Sequence, residues 1–225
     1  MSYGNRESYV RSFATAAFAI FVSQIAPPSA ATTATTVVNS VLSAYGIPMI
    51  NDDGGFTSSY VKFDEGGQRT ICAFAFPSSW VGSTRGSRLF AASNYQTGDD
   101  LILNVAQTEA NTVQDLSALA IAAETMPSEG LAKVSQEKAS IKGGVNYTYL
   151  TVRYNVTTRS GYDVERIAYV AATVRQGKLF TLATTISSER RNKMDVTMNA
   201  IRASFRVGDA SLVEITASDR SHQVM

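Results

Sequence analysis

Apolar and polar residues alternate with period 2 through three stretches in the second half of the chain, 147–158, 166–175 and 178–186. In the first, Leu150, Val152, Tyr154 and Val156 share one face and Tyr149, Thr151, Arg153 and Asn155 the other, the pattern of a half-buried antiparallel strand. Arg159-Ser160-Gly161 reads as the turn that follows it. The second stretch sets Ala168, Val170, Ala172 and Val174 on one face, and Gln176-Gly177 predicts a tight hairpin into Leu179, Phe180, Leu182 and Ile186. Together the three predict a meander. From Ser188 the period becomes helical, with Met194, Met198, Ile201 and Phe205 on one stripe and Ser187 or Ser188 as the N-cap. Each fully buried Met, Ile or Phe contributes roughly 1.5–3 kcal/mol, so this helix is expected to lie across the meander.

Two earlier strands are predicted. One is carried by Phe74-Ala75-Phe76-Pro77-Ser78-Ser79-Trp80 and ends at the proline and the indole. The other is carried by Leu101, Leu103 and Val105, which alternate with Ile102, Asn104 and Ala106. Between them and the meander, Thr112 with Asp115 three residues on has the form of a capping box. It predicts a helix with Leu116, Leu119, Ala120 and Ala123 on its apolar face, stopped by Pro127 and Gly130. Sheet and helices are segregated along the chain, so the fold class is α+β, an antiparallel β-sheet flanked by helices.

The order of these elements resembles the PsbP family, lumenal proteins associated with photosystem II. The residues that carry the resemblance are the Phe74 to Trp80 string, Leu89-Phe90 with Asn94, and the strand 101–105. It continues through 147–154, Gly177-Lys178-Leu179-Phe180, and Glu189-Arg190-Arg191 leading to Ser204-Phe205. It covers roughly 45–207, with Asn192 standing where the family often carries Trp after the basic pair. The resemblance implies a PsbP/Mog1-like α/β/α sandwich and a non-enzymatic role in the thylakoid lumen, peripheral to the membrane. There the chain would dock on photosystem II lumenal subunits of the oxygen-evolving complex and support calcium and chloride retention at the manganese cluster. A PsbP-domain assembly or auxiliary factor of a photosystem, or an exported binding module of another α+β fold, are the alternatives.

Composition and targeting refine this picture. Hydrophobic residues make up 44% of 225 residues, enough for one core. The segment 1–31 reads as a lumenal targeting signal: Arg6 and Arg11 precede an apolar run over 13–25, and small residues suited to cleavage follow. That run is shorter than the roughly 20 residues a spanning helix needs, and with no twin arginine a Sec-type route is favoured. Removing Arg6, Glu7 and Arg11 from 20 basic and 19 acidic residues leaves 18 of each, a balance unlike that of a general nucleic-acid binder. The remainder divides into 32–70, an N-terminal arm and first strand region; 71–207, the PsbP-like domain; and 208–225, a flexible tail. Within the arm, 32–51 is expected to be mobile, with a short helix beginning near Val37 and Val38.

Few residues offer chemistry. Cys72 is the single cysteine and sits in an apolar string, as a buried structural residue would. The single histidine, His222, lies in the tail, so a Ser-His-Asp or Cys-His arrangement lacks a base, and zinc lacks ligands. Calcium needs only oxygens, which Asp99 and Asp100, or Asp52 and Asp53, could supply in part. Gly82 to Arg88 has glycines without the ending of a phosphate-binding loop, and its Arg85 and Arg88 are candidate contacts for an acidic partner. Arg190, Arg191 and Lys193 form a second candidate cluster at the start of the last helix, where the macrodipole disfavours cations.

Overall fold

The computed structural model describes residues 31–51, 54–65, 68–83, 89–126, 131–158 and 160–210. Residues 1–30 of the expected targeting segment, Asp52 and Asp53, Arg85 and Arg88, Pro127 and Gly130, Arg159 and His222 fall outside them. Among the described residues three α-helices and ten strands follow one another as α1 (Ala31–Ala44), β1 (Phe56–Glu65), β2 (Gln68–Pro77), β3 (Val81–Ser83), β4 (Phe90–Asn94), β5 (Asp99–Gln107), α2 (Ala118–Thr125), β6 (Leu131–Lys142), β7 (Val145–Thr157), β8 (Asp163–Arg175), β9 (Lys178–Ser187), α3 (Arg191–Ser204) and β10 (Arg206–Asp209). Strands β3-β4-β5-β9-β8-β7-β6 make a seven-stranded sheet and β1-β2-β10 a three-stranded one, every pairing antiparallel. The expected α+β class holds; the strands divide between two sheets instead of forming one layer.

The meander β7-β8-β9 is present with the expected hairpin. Arg175 pairs with Lys178 across Gln176 (φ 52) and Gly177 (φ 70), both left-handed as a two-residue turn of this type requires. The half-buried reading of β7 is corrected, because Leu150, Val152 and Tyr154 enter one core cluster while Tyr147 and Tyr149 enter another. Both faces of the large sheet are covered. On one lie α3 and the small sheet, around Phe74, Phe90, Phe180, Met198, Ile201 and Phe205. On the other, Val113, Ile121, Ala122 and Met126 close over Leu150, Val152 and Val170. Of the α3 stripe, Met198, Ile201 and Phe205 are fully buried and Met194 partly so, as the helical period predicts.

The helix α2 presents a different face from the predicted one. Thr112 and Asp115 do form a capping box, but on a 3-10 turn, Val113–Asp115, after which the backbone turns extended at Leu116. The α-helix restarts at Ser117, whose hydroxyl accepts from the Ala120 N–H at 3.1 Å. This restart rotates Ile121, Ala122 and Thr125 inward and leaves Leu119, Ala120 and Ala123 exposed.

The expectation of a mobile arm over 32–51 is also corrected. Val38, Leu42, Ile47 and Ile50 are buried against Ile71, Ala73 and Ala75, on the face of β2 opposite Phe74 and Phe76. An amphipathic segment with that much apolar surface has a core to join. Asn39 holds its end, its amide bonding the Ile50 N–H and C=O at 2.8 and 2.9 Å. Likewise Gly208 and Asp209, assigned to the tail by sequence, pair in β10 with Ile71 and Thr70.

Candidate functional site

Period 2 along β5 decides the fate of the acidic pair. Asp99 lies on the inward face with Leu101 and Leu103, fully buried, and Asp100 on the opposite face. The inward face is the one α3 covers, and Arg190, in the 3-10 turn Ser188–Arg190 that leads into α3, forms an ion pair with Asp99. Asp100 is held from three other strands: by Ser93 Oγ at 3.2 Å, Thr185 Oγ1 at 3.3 Å and Arg166 Nη2 at 3.3 Å. Arg166 Nη2 also donates to Gly98 O at 2.6 Å, which fixes the turn before β5.

Two of the candidate roles are thereby corrected. Consecutive carboxylates that point to opposite faces of a strand cannot close on one ion, and each already faces an arginine. Calcium takes six to eight oxygens, and among the described residues no three Asp, Glu, His or Cys side chains gather. Asp99 and Asp100 therefore do not fit a calcium centre. Arg190 is an internal partner of Asp99, which leaves Arg191 and Lys193 exposed on the first turn of α3 as the described members of that cluster.

At the other end of α3 the structure assembles a group that the sequence did not announce. Arg202 stacks over the rings of Tyr149 (5.6 Å) and Tyr169 (5.4 Å) and pairs with Glu137. Burial works to raise the Glu137 carboxyl, but hydrogen bonds from Thr151 and Arg202 and the Arg202 charge bring it below the usual range. The Tyr169 hydroxyl donates to Asp195 at 2.7 Å, and burial followed by that carboxylate pushes it up to about 12.

Two residues beyond the helix, Arg206 donates to Ala203 O at 2.7 Å, Phe205 O at 3.0 Å and Met49 O at 3.2 Å. Lys142, last residue of β6, donates to the same Ala203 O at 2.5 Å, with the rings of Tyr147 and Tyr149 at 5.1 and 5.3 Å. Burial, with the neighbouring Arg206 charge, pushes the Lys142 ammonium down to about 7. Burial also lowers the Arg206 guanidinium and raises the Tyr147 and Tyr149 hydroxyls. The available signal was Arg202 and Arg206 at the C-terminal end of a predicted helix, where carbonyls and macrodipole favour cations.

A cavity of about 70 Å³ opens beside Arg206, between Phe56, Ala75, Ala200 and Ser204. Cys72 is fully buried in the core, and burial pushes its thiol up, away from the reactive thiolate. No helix among the described residues is long and apolar enough to cross a membrane.

The family model for PsbP matches residues 67–207. Among solved structures, the chain is similar to cyanobacterial PsbP (CyanoP) from Synechocystis sp. PCC 6803, at 17% identity and TM-score 0.42 over 70% of this chain and 96% of that one. It is also similar to LpqN, involved in cell envelope biogenesis of Mycobacterium tuberculosis, at 11% identity and TM-score 0.42 over 69% and 93%. A third is the Saccharomyces cerevisiae Ran-binding protein Mog1p, at 9% identity and TM-score 0.42 over 66% and 95%. No curated protein matches the chain. With the family model spanning both sheets from the start of β2 to the middle of β10, the chain belongs to the PsbP family.

Proposed function

We propose that this PsbP-family chain is an extrinsic, non-enzymatic protein of the thylakoid lumen that docks on the lumenal subunits of photosystem II. Its role there is to support calcium and chloride retention at the manganese cluster. The observation that carries this reading is the family match over 67–207. Retention of this kind needs a firm body seated over the cluster, and the two sheets with α3 between them supply one. It does not need calcium ligands on the protein itself, in keeping with the pairing of Asp99 and Asp100 to arginines. Exposed cations such as Arg191 and Lys193 contribute orientation and salt-dependent affinity.

The test is depletion of the protein from thylakoids followed by oxygen evolution at limiting calcium. A loss of activity restored by added calcium, together with release of the protein as salt rises, supports the reading. Unchanged oxygen evolution refutes it. Co-migration with assembly intermediates alone on native gels would assign the protein to photosystem assembly instead.

A further inference from the structure

We propose that Lys142 and Arg206, flanked by Met49, form a docking site for a partner-protein segment that carries a carboxylate next to an apolar side chain. The proposal deepens the docking reading and rests on it, and it names where an acidic partner is gripped.

The geometry begins at Ala203 O. Lys142 Nζ and Arg206 Nη1 both donate to it, at 2.5 and 2.7 Å, so the two cationic nitrogens stand no farther apart than these two bonds together. Four other cations that are at least partly buried are met by carboxylates: Arg166 by Asp100, Arg190 by Asp99, Lys178 by Glu65, Arg202 by Glu137. Lys142 and Arg206 have only carbonyls and tyrosine rings, with no carboxylate in ion-pair range among the described residues. The carbonyls at the end of α3 bear partial charge and hold the pair in place, but the two cationic groups still repel, and burial together with that repulsion brings the Lys142 ammonium down to about 7. Arg206 Nε is in addition buried without a hydrogen-bond partner. A carboxylate arriving there gains charge-assisted hydrogen bonds and removes the repulsion between the two cations.

The surroundings specify the rest of the ligand. The hairpin between β6 and β7 abuts the segment after α1 so closely that a Cβ on Gly143 would lie 2.7 Å from Pro48. This contact brings Met49, 60% exposed, to the end of the molecule where Lys142 and Arg206 lie, and Arg206 bonds the Met49 carbonyl, whereas Ile141, next to Lys142 on β6, faces the other side of the sheet. The 70 Å³ cavity beside Arg206 has room for the tip of a small aliphatic side chain. An acidic group with an apolar neighbour fits this combination, whereas a phosphate or a free ion would leave the apolar flank unused.

The test uses the isotope-labelled full chain and, as probe, a blocked Gly-Leu-Glu-Leu-Glu-Gly peptide, with a glutamine-for-glutamate peptide as control. The expected result is saturable NMR shift changes centred on Met49, Lys142 and Arg206, with the control binding at least tenfold more weakly. Lys142→Gln and Met49→Ser are each expected to weaken binding at least fivefold with the rest of the spectrum unchanged; Lys193→Gln is expected to leave it as it was. Equal binding of both peptides, shifts centred on Arg191 and Lys193, or undiminished binding by both site variants would overturn the proposal. Because no photosystem enters this experiment, its failure leaves the oxygen-evolution test unaffected, and the reverse holds too.

Discussion

Replacing Arg190 by alanine separates an internal ion pair from a docking charge. Asp99 is fully buried and one of its oxygens, Oδ1, has no hydrogen-bond partner, so Arg190 carries the whole burden of neutralising it. Removing one member of a buried pair typically costs about 3–5 kcal/mol, since the charge left behind keeps its desolvation penalty. The Arg190 side chain is 25% exposed, and water entering its place recovers part of that, so we expect about 3 kcal/mol. The converse change is milder. With Asp99→Asn the guanidinium can turn outward to solvent, and about 1 kcal/mol is expected. Arg191→Ala and Lys193→Ala, which remove exposed charges, should stay within about 0.5 kcal/mol of the parent. Urea unfolding followed by the fluorescence of the buried Trp80 measures all four; at a slope of about 1–3 kcal/mol per molar, Arg190→Ala should lower the midpoint by about 1–3 M. An Arg190→Ala midpoint indistinguishable from that of Arg191→Ala would refute the account of Asp99.

Three further outcomes are expected. Ile121→Ala should cost about 2–5 kcal/mol and Leu119→Ala under about 1 kcal/mol by urea unfolding, opposite to the ranking the predicted helix face implies. Leu42→Ala, fully buried on the outer face of the small sheet, should cost about 2–5 kcal/mol, whereas a mobile arm would register almost nothing. The third concerns Lys142. Folding moves it from the ordinary 10.5 of a lysine down to about 7, so between those values the unfolded chain binds more protons and stability rises with pH. Solvent access trims the gain to about 1–2 kcal/mol; Lys142→Met should abolish that part of the slope between pH 6.5 and 10 and be the more stable chain at the acid end.

The elements with strong periodicity were legible from the residues: β7 to β9, β5 and α3 appear where alternation or the i, i+4, i+7 stripe places them. What escaped was β6, whose Lys133 to Lys142 run is largely polar and lacks alternation, because it is the last strand of the sheet and has a neighbour on one side only. Its pairing is also broken by two register shifts. Lys142 could not be seen as part of a site while its strand went unrecognised. The α2 face was misassigned because a genuine capping box was attached to the wrong kind of helix, and the restart at Ser117 depends on packing against the sheet. The Asp99–Arg190 pair joins residues 91 positions apart, beyond local pattern, although period 2 alone already sets Asp99 and Asp100 on opposite faces.

The small sheet has its first strands near the beginning of the fold and its last at the end. Strand β2 sits between β1 and β10, and the Ala75 N–H is bonded at 2.8 Å by Ser204 Oγ, 129 residues later. A chain emerging N-terminus first from a ribosome or a translocation pore can therefore fold its opening hairpin early but cannot seal it until the final strand has been delivered. Completion is a single late event, slowed by the long loop that must close. Chains cut short before residue 206 would keep the edge of β2 bare, a ready mark for proteolytic disposal.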